Sequence, residues 1–280
     1  MEIVRHKYEY PVDVNADTAP ARVVRMVGEN KRVLEIGAGP GSITKLLQAI
    51  GNCRITALEI DSEAIKKLAV YCERIYQADL NDPTWPLILK DEAKFEVVVA
   101  ADVLEHVYEP KAVLSAMKQF LNDTGCIVIS LPHIGHSAVH ACLTEENFEY
   151  RDWGLLDRTH IRFFGIKNMQ KLFEDAGLKI AHAEFVVRKP EQTEFADIWS
   201  RTSSTLRSAL AQNPFGLVYQ VVVKAVPITA EARGISLMDL PVEAGKAACR
   251  GGLRAFVSPY VSPRVRIKLR SLAAKIGIKL

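Results

Sequence analysis

Apolar positions in the first half of the chain fall into short runs that alternate with stretches of helical spacing. Arg32–Ile36 (RVLEI) is an apolar run ending in glycines, and behind it Ile43, Leu46, Leu47 and Ile50 share one helical face. CRITALEI (53–60) reads as a second strand, SEAIKKLAVYC (62–72) as a helix opened by Ser62, and RIYQADL (74–80) as a third strand. FEVVVAADV (95–103) is almost continuously apolar, the pattern of a strand covered on both faces. PKAVLSAMKQFL (110–121) is a helix with Pro110 at its start, and GCIVISLP (125–132) is a fifth strand that Pro132 stops.

This alternation predicts a parallel sheet with right-handed crossovers. Its ligands belong beyond the carboxyl ends of the strands. After residue 132 the regularity lapses into a loop and short-helix region, 133–157, rich in His and aromatics. KNMQKLFEDAGL (167–178) restores a helix, closed by Gly177. Two more β-like runs, LKIAHAEFVV and FGLVYQVVVKAV, are expected to pair antiparallel at the sheet edge, with a polar, partly helical stretch at 188–214 between them. Residues 228–240 read as a linker, and RVRIKLRSLAAKIGIKL (264–280) as a basic amphipathic helix.

Charge divides the chain in the same place. The net charge is +3, yet residues 244–280 carry nine Lys or Arg and no acid, which leaves the first 243 residues at −6. Such a tail suits an anionic membrane surface or packing on its own acidic domain, and it lacks the aromatic set that nucleic acid would call for. No nucleic-acid partner is expected. There is no run of 18 apolar residues, and the N-terminus does not read as a secretory signal. An intracellular, cytoplasmic protein is expected, peripheral to the membrane at most. The five cysteines form no CxxC pair, so neither a disulfide framework nor a zinc site is expected, and no metal is assigned.

The glycine turn is Gly37-Ala38-Gly39-Pro40-Gly41, followed by Ser42, a GxGxG spacing rather than the dinucleotide GxGxxG. Glu35 lies just before the turn, Glu59 ends the second strand, and Asp79 ends the third. A crevice walled with carboxylates and without an Arg or Lys aimed into it disfavours a pyrophosphate. It favours a ligand with an ammonium, a sulfonium and ribose hydroxyls.

Together LEIGAGPG, ALEID, ADL and ADVLEHV closely resemble the class I S-adenosylmethionine-dependent methyltransferases, strongly over residues 30–132 and more loosely to 227. The resemblance implies a Rossmann-like α/β fold, with a seven-stranded mixed sheet flanked by helices. It implies a catalytic domain over 1–227, with cap elements at 133–160 and 189–214, and a basic extension over 228–280. S-adenosylmethionine is the implied cofactor and S-adenosylhomocysteine the product. Gly37, Ala38 and Gly39 would approach the methionine part and sugar. Glu59 and Ile60 would take the ribose, and Asp79 and Leu80 the adenine. Glu35, Ala101, Asp102 and His106 would line the methionine end.

On the acceptor side, a hydroxyl needs a base near neutral pH. His133, His136 and His160 are the candidates, with Asp157, Arg158 and Arg162 as substrate-binding residues. LPHIGH and GLLDRTHIRFFG also resemble a methyltransferase branch associated with glycan and surface-polysaccharide biosynthesis, although His133 stands where that branch has Asn. The expected acceptor is therefore a sugar hydroxyl, and the sequence leaves open whether the sugar is free, nucleotide- or lipid-linked, or polymeric. The alternatives are a small-molecule quinone or amine acceptor, a protein or RNA methyltransferase, against part of which the absence of an NPPY-type motif after the fourth strand argues, and a non-catalytic scaffold. The sequence leaves the oligomeric state open.

Overall fold

The computed structural model describes residues 6–243. Helix α1 (Ala19–Val27) opens with the Thr18 side chain accepting the Ala21 N–H and with Pro20 in its first turn, and Gly28 ends it at φ 79°. Strand β1 (Arg32–Ile36) is followed by α2 (Thr44–Ala49), β2 (Arg54–Glu59), α3 (Ser62–Leu68), β3 (Arg74–Gln77) and β4 (Phe95–Ala101). Next come α4 (Pro110–Met117), β5 (Leu121–Pro132), α5 (Ser137–Thr144), α6 (Ile166–Asp175) and β6 (Leu178–Val187). Helices α7 (Ala196–Arg201) and α8 (Ser204–Leu210) precede β7 (Val218–Pro227).

The seven strands lie in the order β3-β2-β1-β4-β5-β7-β6. The first five run parallel, while β7 inserts antiparallel between β5 and β6. The chain leaves β1 towards β2 and β3, then returns to the other side of β1 with β4. This reversal opens the crevice at the carboxyl ends of β1 and β4, where such sheets bind ligands.

Strand alternation builds a core on each face. Val33, Ile55, Val97, Val99 and Val128 pack with α1 and with Ile43 and Leu47. Leu34, Ile36, Val98, Ala100, Ile127 and Ile129 point the other way, into a cluster with Leu114 and Met117 of α4 and Met169 and Phe173 of α6.

The insertions at 133–160 and 189–214 pack on one another. Ala138, Ala141 and Cys142 of α5, with Leu155 and Leu156, meet Phe195, Ile198 and Trp199 of the second insertion. A buried carboxylate ties them: Glu194 accepts from Leu155 N–H (2.7 Å) and from the Tyr219 hydroxyl (2.9 Å).

Residues 228–243 do not behave as a linker. Ile235, Leu240 and Val242 pack against the α4/α6 core and Leu237 is wholly buried in it. Ile235 N–H donates to Ile180 O and Leu237 N–H to Gln170 Oε1. The apolar positions are too widely spaced to show a period, and they find the core edge one at a time. The basic helix expected over 264–280 and its membrane contact lie outside the described residues. Among the described residues no helix is long and apolar enough to cross a membrane. Four described cysteines, Cys53, Cys72, Cys126 and Cys142, are free thiols.

Phe173 is fully buried in the α4/α6 core. Phe173→Ala is expected to cost about 3–5 kcal/mol, read as a lower urea midpoint at unchanged slope; a loss under about 1 kcal/mol would mean that this core is loosely packed.

Candidate functional site

The glycine turn starts where β1 ends. Gly37 and Gly39 have φ of 66° and 56°, values that a side chain disfavours. At Gly37 an added Cβ would lie 2.7 Å from Val103 Cγ2, so the turn could not sit against the β4 loop. Ala38 is buried behind it.

Glu59, at the tip of β2, holds this turn in place. Its Oε2 accepts from Gly39 N–H (2.7 Å), and its Oε1 from Ile60 (2.8 Å) and Asp61 (2.9 Å) N–H. A carboxylate has about four acceptor positions, so a fourth remains for a ligand hydroxyl. Asp79 is exposed at the end of β3, and its Oδ1 accepts from Asn81 N–H and Nδ2. Leu80 packs its side chain on the core behind.

Glu35 Oε2 and Thr44 Oγ1 are buried beneath the turn without a hydrogen-bond partner among the described residues. Burial pushes the Glu35 carboxyl up to about 7; the Thr44 hydroxyl pulls the other way and the neighbouring Glu59 charge adds to the rise. An unsatisfied buried acceptor is costly. An ammonium-bearing ligand would satisfy it, and the crevice therefore fits S-adenosylmethionine: bare glycine backbone, one spare acceptor on Glu59, and a proton-hungry carboxyl under the turn. Glu35, Gly37, Gly39, Glu59 and Asp79 are the residues that would hold it.

The loop after β4 carries the other half. Ala101 ends the strand and Asp102 follows with φ 53°, a strained conformation for a non-glycine residue. Three contacts keep it there. Its N–H donates to Ser130 O (3.2 Å), and its Oδ1 accepts from Ser130 Oγ (2.7 Å) and Gln220 Nε2 (3.0 Å). Burial raises the Asp102 carboxyl above its ordinary range.

One turn on, Glu105 is wholly buried and neither carboxylate oxygen has a hydrogen-bond partner among the described residues. Burial first, then the charge of Asp102, raises its pKa well above the usual range. It stands between two histidines. His160 Nε2 is 3.9 Å from Glu105 Oε1, and the His106 and His160 rings meet edge to face at 4.8 Å. The ligand-type atoms of all three lie within 4.8 Å of one another. His106 Nδ1 faces Thr159 O (3.0 Å) and His160 Nδ1 faces Leu155 O (3.2 Å). A carbonyl only accepts, so both Nδ1 atoms carry the proton and both Nε2 atoms keep a lone pair when neutral. Desolvation lowers both imidazoles, His160 to about 4.

Of the expected bases only His160 lies in this cluster, beside His106, which was expected to line the cofactor; His133 and His136 are placed differently. His136 is the N-cap of α5: its Nδ1 accepts from Ala138 N–H (3.2 Å) and its Nε2 donates to Arg188 O (2.9 Å). Both ring nitrogens are committed, so it has no lone pair for a substrate proton. His133 Nδ1 donates to Val218 O (3.0 Å), and its Nε2 edge lies over Gly135. Arg158 is exposed and pairs with Asp152 (2.7 Å). Arg162 gives its guanidinium to Tyr108 O, from Nη2 at 2.6 Å and Nε at 3.1 Å. Both arginines are thus engaged in surface structure rather than gathered into an anion grip. Asp157 is buried and accepts from Thr159 N–H and Oγ1 and from Lys7 Nζ. Lys7 brings a cation to a crevice in which none was expected.

Sequence reasoning passed over Glu105, Gln220, Thr159 and Lys7. Glu105 left a signal, a lone acid inside an otherwise apolar VLEHV stretch. The others left none, because their roles arise from strand order and loop geometry.

A family model described as "Methyltransferase domain" matches residues 12–183. Among curated proteins, the ubiquinone biosynthesis O-methyltransferase of Psychrobacter arcticus is 26% identical over 174 residues, 59% of this chain and 64% of the relative. The enzyme of the same description from Xanthomonas campestris is 27% identical over 119 residues, covering 42% and 48%. The chain therefore spans less than two thirds of the length of these relatives. Among solved structures, a SAM-dependent methyltransferase from Archaeoglobus fulgidus superposes with a TM-score of 0.53 at 18% identity, over 74% of this chain and 91% of that one. That likeness shows the fold.

Two expectations follow. Glu59→Ala should weaken S-adenosylmethionine binding at least about tenfold by calorimetry, since it removes the anchor of the turn and the spare acceptor; unchanged affinity would contradict that role. Glu35 has its folded-state pKa raised from 4.5 to about 7, so the native state holds its proton more tightly than the unfolded chain. Its stability penalty is absent below about pH 4.5 and complete above about pH 7. Glu35→Gln should therefore stabilise the cofactor-free protein by roughly 2–3 kcal/mol at pH 8 and far less at pH 5; an equal effect at both would mean that Glu35 is not neutralised by burial.

Proposed function

Because this chain belongs to the methyltransferase family and is an S-adenosylmethionine-dependent enzyme, we propose that it O-methylates a phenolic or quinol-type hydroxyl of a small acceptor, with His106 as the general base. One observation carries the reading. The loop after β4 carries His106, whose Nε2 has no hydrogen-bond partner among the described residues, beside His160 and a buried Glu105, at the carboxyl end of the strand next to the one that leads into the glycine turn.

The cofactor supplies an electrophilic methyl group on a good leaving group. The chain's own work is to bring up the acceptor and take its proton. His106, with Nδ1–H committed to Thr159 O, keeps a fixed tautomer and can accept that proton at Nε2. His160 and Glu105 lie beside it, and burial raises the Glu105 carboxyl well above its ordinary range, which disfavours a fixed anion behind the imidazoles.

Base strength supports this acceptor class. Desolvation holds both imidazoles below their ordinary value. A weak base suits an acidic hydroxyl. A phenol ionises near pH 10, as tyrosine does, whereas a sugar alcohol is several orders less acidic. The curated relatives named above point the same way, since their description is ubiquinone biosynthesis O-methyltransferase. The sugar acceptor expected from LPHIGH and DRTHIRFF gains no support from them, and His136, Arg158 and Arg162 of those motifs serve as a helix cap and loop ties.

His106→Gln should lower kcat on a catechol-type acceptor by about 10²–10⁴ while S-adenosylhomocysteine affinity stays within about threefold. Retained kcat would overturn the base assignment and favour an amine or pre-ionised acceptor.

A further inference from the structure

The segment before α1 joins two parts of the site that the sheet keeps apart. On the cofactor side, Ser42 Oγ accepts from Tyr10 N–H (3.1 Å) and donates to Tyr8 O (3.0 Å), and His6 Nε2 meets Asp61 Oδ2 at 3.1 Å. Glu9 also pairs with Lys67 of α3. On the acceptor side, Lys7 Nζ lies 3.0 Å from Asp157 Oδ2, and the Tyr8 hydroxyl lies 3.3 Å from Thr159 Oγ1. Between these anchors the Tyr8 Cβ is the nearest side-chain atom over Gly39, 3.9 Å from where a Cβ would stand. Residues 6–10 thus cross from the glycine turn to the 157–160 loop, over the face the cofactor needs.

That loop is the one that orients His106. Asp157 shapes it by accepting from Thr159 N–H (2.9 Å) and Thr159 Oγ1 (2.7 Å), and Thr159 O fixes His106 Nδ1 (3.0 Å). The Asp157 side chain is only 4% exposed, so its charge depends on having a partner, and Lys7 is its cation. We propose that Lys7 is a positioning residue for methyl transfer. Its ion pair with Asp157 sets the loop that holds His106, and the same pair latches residues 6–10 over the bound cofactor.

Two consequences follow. Closure over the cofactor and alignment of the base become one event, so the acceptor meets an ordered His106 only when the cofactor side is covered. Product exchange requires the latch to open. The Lys7 end is 35% exposed, and the other ion pairs of the segment, His6–Asp61 and Glu9–Lys67, are partly solvated, individually weak enough for this to happen reversibly.

The proposal rests on the His106 reading, and its test separates the two. The full chain is compared with Lys7→Met, Lys7→Arg and His106→Gln. For each, kcat and KM on a catechol-type acceptor and the rate of S-adenosylhomocysteine release by stopped-flow displacement are measured. Lys7→Met should lower kcat about five- to tenfold and speed release at least about threefold, with acceptor KM within about twofold. Lys7→Arg should recover most of both. Raising salt to about 0.5 M should speed release more from the unmodified protein than from Lys7→Met, which keeps only the His6–Asp61 and Glu9–Lys67 pairs. Unchanged kcat and release in Lys7→Met, beside an impaired His106→Gln, would overturn the positioning role and leave the base assignment standing. An unimpaired His106→Gln would overturn both.

Discussion

The site depends on one carboxylate at the tip of a buried strand. Glu59 accepts three backbone N–H groups and so fixes the glycine turn after β1 against the end of β2. Charge-assisted bonds to main-chain donors are among the stronger contacts a protein makes. The turn needs such an anchor because Gly37 and Gly39 sit at positive φ, and an unpinned glycine loop has many conformations to lose. With the turn fixed, Val103 closes against Gly37, and the β4 loop inherits its place from the cofactor loop.

The loop after β4 combines a strained, well-bonded carboxylate with an unsatisfied one. Asp102 is held in a strained conformation by Ser130 and Gln220, so the two strands beyond β4, β5 and β7, both contribute to its geometry. Glu105 is buried with no hydrogen-bond partner among the described residues, and its surroundings raise its pKa well above the usual range. Such arrangements cost stability, and they persist where function requires them. The carbonyls of Thr159 and Leu155 fix the tautomers of His106 and His160, which turns two ordinary imidazoles into directed acceptors.

Much of this was legible in the chain itself. Continuous apolar runs gave the buried parallel strands, and the doubly buried FEVVVAA became β4 at the centre of the sheet. The antiparallel pairing of the last two strands was expected, though not the insertion of β7 between β5 and β6. Carboxylates at strand ends marked Glu59 and Asp79 because strand direction alone brings those positions to one edge. The histidines were harder. Composition cannot tell a base from a cap, and only the second nitrogen's partner separates His136, committed at both ends, from His106. Lys7 was invisible for a different reason: it reaches Asp157 across 150 residues of sequence, and nothing local records that contact.

The central claim is that methyl groups pass from a carboxylate-walled cofactor crevice to an acidic hydroxyl beside His106. Methyl-labelled S-adenosylmethionine incubated with the protein and an extract separated into aromatic lipid, sugar-nucleotide, glycan, protein and RNA fractions tests it most directly. The account predicts label in the aromatic lipid fraction, released as a methoxy-bearing quinol or phenol. Label confined to the sugar-nucleotide or glycan fractions would contradict it.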